Sequence, residues 1–298
     1  MLLSKTRQGE LIILAEAVLW GAFPVLALLA YEHLSPIRTL AWSSLFAACF
    51  FAVLFCWQKR WRELLIREAW LPILMGTLIS GILYYLFYFL ALRSTTVGNA
   101  AIIAQMEIWF SLLFFGLILR KENYTASAIT GALLMFGGVA VVLFPGKLEI
   151  NIGDILILLA ALIAPVSNNF QQKARKKVSA ITLLFVRSTI ATPFLFAFAG
   201  FWEPVGKTGF TAALPFLLVS GILLFGLSKI FWVEGIHRIP VAKAASLNTL
   251  VPVCALIYAL LFLGEIPTLW QLAGLPLVIG GAVLITRRNF LHEAPPID

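Results

Sequence analysis

Runs of about twenty apolar residues recur ten times along the chain, with short polar breaks between them. They cover residues 9–31, 36–57, 70–92, 98–118, 124–145, 151–172, 179–202, 211–233, 240–263 and 267–287. A helix needs roughly 20 such residues to cross a hydrocarbon core of about 30 Å. The pattern therefore predicts an all-α membrane protein of ten transmembrane helices, with no soluble domain. The first run is too long for the apolar region of a signal peptide and leads straight into further spans, which predicts a retained helix.

Composition agrees: 61% of the 298 residues are apolar, 12% are charged, and the mean hydropathy is +0.97. A net charge of +8 would suggest nucleic acid in a soluble protein, whereas in a membrane protein Lys and Arg mainly record topology. With the N-terminus in the cytoplasm, fifteen of the 22 basic residues fall in cytoplasmic segments, and only Arg38, Arg93, Lys147 and Lys207 lie opposite. Arg187, Lys229 and Lys243 fall within spans. The rule predicts N-in and C-in. Cys49, Cys56 and Cys254 lie inside apolar runs and read as core packing rather than a disulfide or metal framework.

The chain repeats itself. A shift of 143 residues lays Glu122 on Glu265, Gly131 on Gly274, Gly137-Gly138 on Gly280-Gly281 and Gln105 on Asn248. Near the start of each half, a shift of 144 lays Gly9-Glu10 on Gly153-Asp154. Five helices per unit is an odd number, so the second unit enters from the other side of the membrane, and the loop charges agree. The expected organisation is two inverted five-helix repeats, residues 1–146 and 147–298, joined by a short linker from Pro145 to Gly153.

Trp20-Gly21-Ala22-Phe23-Pro24, Gly264-Glu265 and the matched glycines of the fifth and tenth helices resemble the EamA family of the drug/metabolite transporter superfamily. The resemblance covers essentially the whole chain as two tandem units. It implies a central cavity lined mainly by helices one, three, four, six, eight and nine, and alternating access. It also implies export of amino acids, drugs or other metabolites, some relatives being importers. The sequence departs from the family pattern in two places. Arg187 fits the arginine that family repeats carry early in their second helix, but Trp42 stands at the matching position of the first half. The first-half turn reads Lys121-Glu122 where Gly-Glu is usual. Leu14-Ala15-Glu16 is similar to the segment around the membrane-embedded glutamate of small multidrug resistance proteins, which suggests Glu16 as a proton or cation site.

Ionisable groups inside a span cost roughly 2.5–3.5 kcal/mol at the helix centre and so need a partner or a job. Glu107 lies ~14 Å into the fourth helix, near the midplane. A carboxylate there can exchange a proton for a cationic group. Glu16 lies one turn before Trp20 on the same face, a pairing suited to an amine or quaternary ammonium. At about 10 Å deep it can equally snorkel to the headgroups. Gln105 and Asn248, matched by the repeat, either hold polar groups of a substrate or tie helices together. Trp109 sits one turn from Gln105, and Tyr84, Tyr85 and Tyr88 with Gly81 form an aromatic stripe, which is either packing or cavity wall.

Asn168, Asn169 and Gln171 crowd the end of the sixth helix before a basic run from Lys173 to Lys177. Either all three wet the helix end, or Asn168 and Asn169, deeper by a turn, face the cavity mouth. In the eighth helix, Lys229 with Trp232 pairs with Glu107, binds a substrate carboxylate, or snorkels. Glu234, His237 and Arg238 read as a solvated loop cluster. Pro240, Pro252 and Pro276 are candidate hinges. Asn123-Tyr124-Thr125 fits a glycosylation sequon but falls on the cytoplasmic side.

No phosphate-binding loop, zinc-protease, nucleophile-elbow or Cys-x-x-Cys motif occurs, so neither an enzyme nor a cofactor is expected. The expectation is a secondary transporter in the cell (inner) membrane, with a small-molecule substrate, no nucleic-acid partner and the proton as candidate coupling ion. A monomer and a homodimer both fit. A flippase or scramblase of the same architecture is the competing reading.

Overall fold

A computed structural model describes residues 4–118, 126–143, 151–203, 209–239 and 241–287. No strand occurs among them. Eight helical stretches are long and apolar enough to cross a bilayer, and two shorter apolar helices, Ile129–Leu143 and Leu269–Leu284, complete the ten-span pattern. The sequon, Lys121-Glu122 and most of the linker lie outside the described residues.

Several spans are broken inside the membrane. The first is α1 (Lys5–Gly21) followed by α2 (Phe23–Tyr31), because Pro24 lacks the N–H that the Trp20 carbonyl would accept from. The second is α3 (Pro36–Trp57). The third is α4 (Arg67–Gly76), a π-helical stretch Thr77–Leu83, and α5 (Tyr84–Ala91). The fourth is α6 (Val97–Ala104) and α7 (Met106–Leu112), which meet at Gln105 through two i,i+3 hydrogen bonds, with a second π-helical stretch, Leu113–Ile118, beyond them. After α8 (Ala126–Leu143) come α9 (Ile152–Arg175) and α10 (Ala180–Trp202). The eighth span repeats the third: α11 (Phe210–Val219), a π-helical stretch Ser220–Leu227, and α12 (Ser228–Arg238).

The ninth repeats the fourth. Its helices α13 (Val241–Leu247) and α14 (Leu250–Leu263) meet at Asn248-Thr249, where Pro252 cannot donate to the Asn248 carbonyl and the Val251 N–H bonds it instead at 2.9 Å. Gly264, at φ 66°, closes α14 in the left-handed conformation that a residue without Cβ adopts freely. The last helix, α15 (Leu269–Arg287), runs through Pro276 unbroken.

The two halves meet through matched contacts. α8 crosses α15 so closely that a Cβ on Gly138 would sit 2.8 Å from the Gly274 carbonyl oxygen, and one on Gly281 would sit 2.4 Å from that of Gly131. α3 and α10 pack side by side, with Ser44 and Thr192 hydrogen-bonded at 3.0 Å. Glu203, just past α10, accepts from the Ile37 and Arg38 N–H groups at the start of α3, at 2.8 and 3.1 Å, and from the Ser35 hydroxyl. Glu63, past α3 on the other face, accepts from the Ser179 N–H at 2.7 Å and the Thr182 hydroxyl at 2.6 Å at the start of α10.

Further polar ties close each face. On the face carrying the basic loops, Glu234 binds Arg175 and Arg238, both at 2.7 Å, and Lys243 meets Glu10 at 2.8 Å. Glu234, His237 and Arg238 are thus on the last turns of α12, not in a loop, since the helix runs past the predicted span. On the opposite face Asp154 accepts from Thr95, and Glu265 from the Val97 and Gly98 N–H groups. The cysteines correct the sequence expectation. Cys49 and Cys56 lie on the exposed side of α3, because a transmembrane helix is apolar toward lipid as well as toward the core.

Candidate functional site

The broken helices surround a small polar cavity in the middle of the bundle. Its volume is about 60 Å³, and an adjoining space of about 40 Å³ shares Trp20, Tyr84, Glu107, Trp232 and Asn248 with it. Together they hold several water molecules or one small solute group.

Two carboxylates and two cations line the larger space, Glu16 and Glu107 with Arg187 and Lys229. Glu16 is fully buried, which removes the snorkelling alternative. Its Oε1 accepts from Lys229 Nζ and from the Ser228 hydroxyl, both at 3.1 Å. Lys229 is 8% exposed and its Nζ lies 3.2 Å from the Trp20 ring centroid. The partner of Lys229 is therefore Glu16. Removing one member of a buried pair leaves an uncompensated charge, at about 3–5 kcal/mol.

Glu107 is held differently. Its Oε1 accepts from Asn168 Nδ2 at 2.7 Å, and Asn168 Oδ1 in turn accepts from Trp232 Nε1 at 3.3 Å and Gln171 Nε2 at 3.4 Å. Gln171 Oε1 accepts from Arg187 at 3.4 Å. A chain of carboxamides thus joins the second carboxylate to the second cation without an ion pair between them. Two buried acceptors on residues that line the cavity have no donor among the described residues, Glu16 Oε2 and Asn248 Oδ1.

Aromatic rings close one end. Trp20 stacks on Phe23 at 4.4 Å between centroids, Phe225 packs 4.6 Å from Tyr85, and Phe23 meets Tyr88, Phe89 and Phe225 within 6 Å. α1 rises from the basic face through Glu16 and Trp20 before α2 begins at Phe23, and Phe225 precedes Lys229 in a span running back toward that face. The rings therefore lie on the side away from the basic loops. A shift of 144 residues lays Phe23 on Ser167 and Phe225 on Gly81, so the small residues of the repeat stand where the large ones are missing. The cavity lining toward the basic face includes Ser80, Ser167 and Gln171.

Of the residues picked out by sequence, Glu16, Trp20, Tyr84, Tyr85, Glu107, Asn168, Lys229, Trp232 and Asn248 line the larger cavity, while Tyr88 and Gln105 line the smaller. Trp109 instead packs against Phe110 and Phe136, since the turn at Gln105 rotates α7 relative to α6. Asn169 is buried but is absent from both linings. The sequence reading passed over Arg187, Gln171, Ser80 and Ser167 as site residues. An arginine inside an apolar span was the available signal for the first. Trp42, expected at the place matching Arg187, packs among Phe46, Phe196 and Phe210, and the 144-residue spacing of the N-cap serines Ser35 and Ser179 puts Ser43 at the matching position instead.

The model of the EamA-like transporter family matches residues 7–144 and again 151–287. The chain is 26% identical to an uncharacterized transporter, YvbV, of Bacillus subtilis, covering 99% of this chain and 96% of that protein. It is also 26% identical to a probable terminal-alkyne amino-acid exporter of Streptantibioticus cattleyicolor, over 64% of this chain and 65% of the relative. A crystal structure 18% identical in sequence superposes with a TM-score of 0.71, covering 94% of this chain and 98% of the other.

Proposed function

Given that the chain belongs to the EamA-like transporter family and is a multi-pass membrane transporter, we propose that it is a secondary exporter of small amine-bearing metabolites, amino acids foremost. The observation that carries this reading is the disposition of charge in the cavity. Among the described residues, Glu107 has a carboxamide partner but no bonded cation, and Arg187 has a carboxamide partner but no carboxylate. One end can therefore take an ammonium group and the other a carboxylate, with Tyr84 and Trp232 supplying apolar wall and hydrogen bonds. The amino-acid exporter among the relatives supports the same class.

The same geometry supports a direction and a coupling ion. The ring cluster closes the cavity away from the basic loops, which the positive-inside rule assigns to the cytoplasm. Substrate then enters from the cytosolic side and leaves when the rings part, as the two repeats of residues 1–146 and 147–298 rock about the cavity. Glu107 exchanges a proton for an ammonium group, which makes the cycle an antiport. The setting is the cell (inner) membrane.

The test is solid-supported-membrane current from proteoliposomes, screened across amino acids, polyamines and quaternary ammonium compounds at two pH values. A saturable, pH-dependent current with amino acids is expected. Currents that do not saturate indicate a channel, and translocation of fluorescent lipid without solute current indicates a flippase; either rejects the proposal.

A further inference from the structure

The geometry points to Lys229 as the resident occupant of a cation subsite, formed by Glu16 and the face of Trp20, which an incoming primary ammonium group takes over. The inference rests on reading the central cavity as a transport site. Both features that recognise an ammonium in that subsite, a carboxylate and an indole face, are filled by one atom of the chain itself. Lys229 Nζ lies 3.1 Å from Glu16 Oε1 and 3.2 Å from the Trp20 centroid.

A purely structural pair would use up its hydrogen-bonding capacity, because a buried acceptor without a donor is costly. Here Glu16 Oε2 and Asn248 Oδ1, on two residues that line the site, are both buried without one among the described residues. Their shortage is of donors. An ammonium ligand brings three N–H groups, whereas a quaternary ammonium brings none and cannot satisfy them.

Charge balance allows the exchange. Glu107 lines the same cavity and, among the described residues, is bonded by Asn168 alone, so an ammonium displaced from Glu16 has a second carboxylate to approach. No charge is left bare when ligand and Lys229 trade places. Lys229 also lies two residues past the π-helical stretch Ser220–Leu227, a place where one turn holds an extra residue and the register of the helix can adjust. The empty carrier thus keeps its own cation in the site. A ligand must outcompete a tethered alkylammonium, which makes the subsite selective for primary amines.

The experiment uses n-butylammonium, which reproduces the lysine side chain from Cβ outward, in thermal-shift titrations of the purified full chain. Wild type, Lys229→Ala and Lys229→Ala/Glu16→Gln are compared, with n-butanol as the neutral control. A saturable upward shift in Lys229→Ala is expected, with apparent affinity at least tenfold above wild type, and no such shift in the double variant or with butanol. Folded Lys229→Ala that ignores butylammonium, or responds equally to butanol, overturns the inference. Should the alanine variant not fold, Lys229→Met titrated with methylammonium asks the same question with the stem retained. Transport plays no part in this readout. A protein that moves no amine yet shows the rescue rejects the function and keeps the subsite, while currents without rescue do the reverse.

Discussion

Glu63 and Glu203 cap each other's helices: the glutamate that follows α3 binds the first turn of α10, and the glutamate that follows α10 binds the first turn of α3. The N-cap serines at the two sites, Ser35 and Ser179, are 144 residues apart, so the arrangement is one contact repeated by the inversion. Each carboxylate satisfies N–H groups that a helix start leaves unpaired and meets the positive end of a helix dipole. The two clasps hold α3 and α10 together at both membrane faces.

The clasps should differ in strength. Glu203 is 7% exposed and binds two backbone N–H groups, so Glu203→Ala should lower the unfolding free energy by about 1–3 kcal/mol in an SDS titration. The Glu63 clasp should be pH-sensitive. Partial burial alone would raise its carboxyl, but hydrogen bonds from Thr182, Ser179 and Arg60 outweigh that and pull it down to about 2. Its contribution is present above the ordinary value of 4.5 and fades as pH falls from there toward 2. Thermal midpoints at pH 6 and pH 3 should therefore differ more in wild type than in Glu63→Gln. Equal differences would show that the clasp does not titrate.

Neighbouring glycines should behave oppositely. Gly281→Val puts a branched side chain where even a Cβ would overlap the Gly131 carbonyl, and it should cost at least about 3 kcal/mol or abolish the monodisperse peak in size exclusion. Gly137→Ala meets nothing within 4 Å and should be neutral or stabilising by up to about 1 kcal/mol through helix propensity. Similar losses at both positions would argue against the close crossing.

Glu107→Gln should abolish proton-coupled transport while leaving the fold intact, because the amide keeps a hydrogen-bond acceptor for Asn168. The measurement is pH-dependent uptake into proteoliposomes alongside circular dichroism. Unchanged pH dependence would remove Glu107 from the coupling step.

Arg187→Met should separate amino acids from simple amines. It deletes the cation bonded by Gln171, so KM for an amino acid should rise at least tenfold while transport of the matching decarboxylated amine changes less than threefold. Equal losses for both substrates would make Arg187 a structural residue of α10.

Much of this was legible in the chain. Twenty-residue apolar runs can only become spanning helices, and the 143-residue shift placed Gln105 and Asn248 at matched positions, which proved to be matched helix breaks. The π-helical stretches were harder to see. Pro72 and Pro215 are also 143 residues apart, each five residues before a π-helical stretch, but a proline says only that a helix is disturbed, not how it recovers. Pairings across the bundle were less legible still. Hydropathy and spacing place Lys229 at membrane depth, yet whether it meets Glu16 or Glu107 depends on the rotation of α12 against α1, which no local pattern encodes. Arg187 was visible as an arginine inside a span, whereas Gln171, read with Asn168 and Asn169 near a helix end, becomes its partner only through the approach of α9 to α10.

The glycine crossing of α8 and α15 carries a further meaning. Gly131 meets Gly281 and Gly138 meets Gly274, and the 143-residue shift converts one pair into the other. A surface that matches its own inverted copy is self-complementary. Two separate five-helix chains, inserted in opposite orientations, would find each other on this face as an antiparallel dimer, so the seam preserves in one polypeptide the shape of an association between equals.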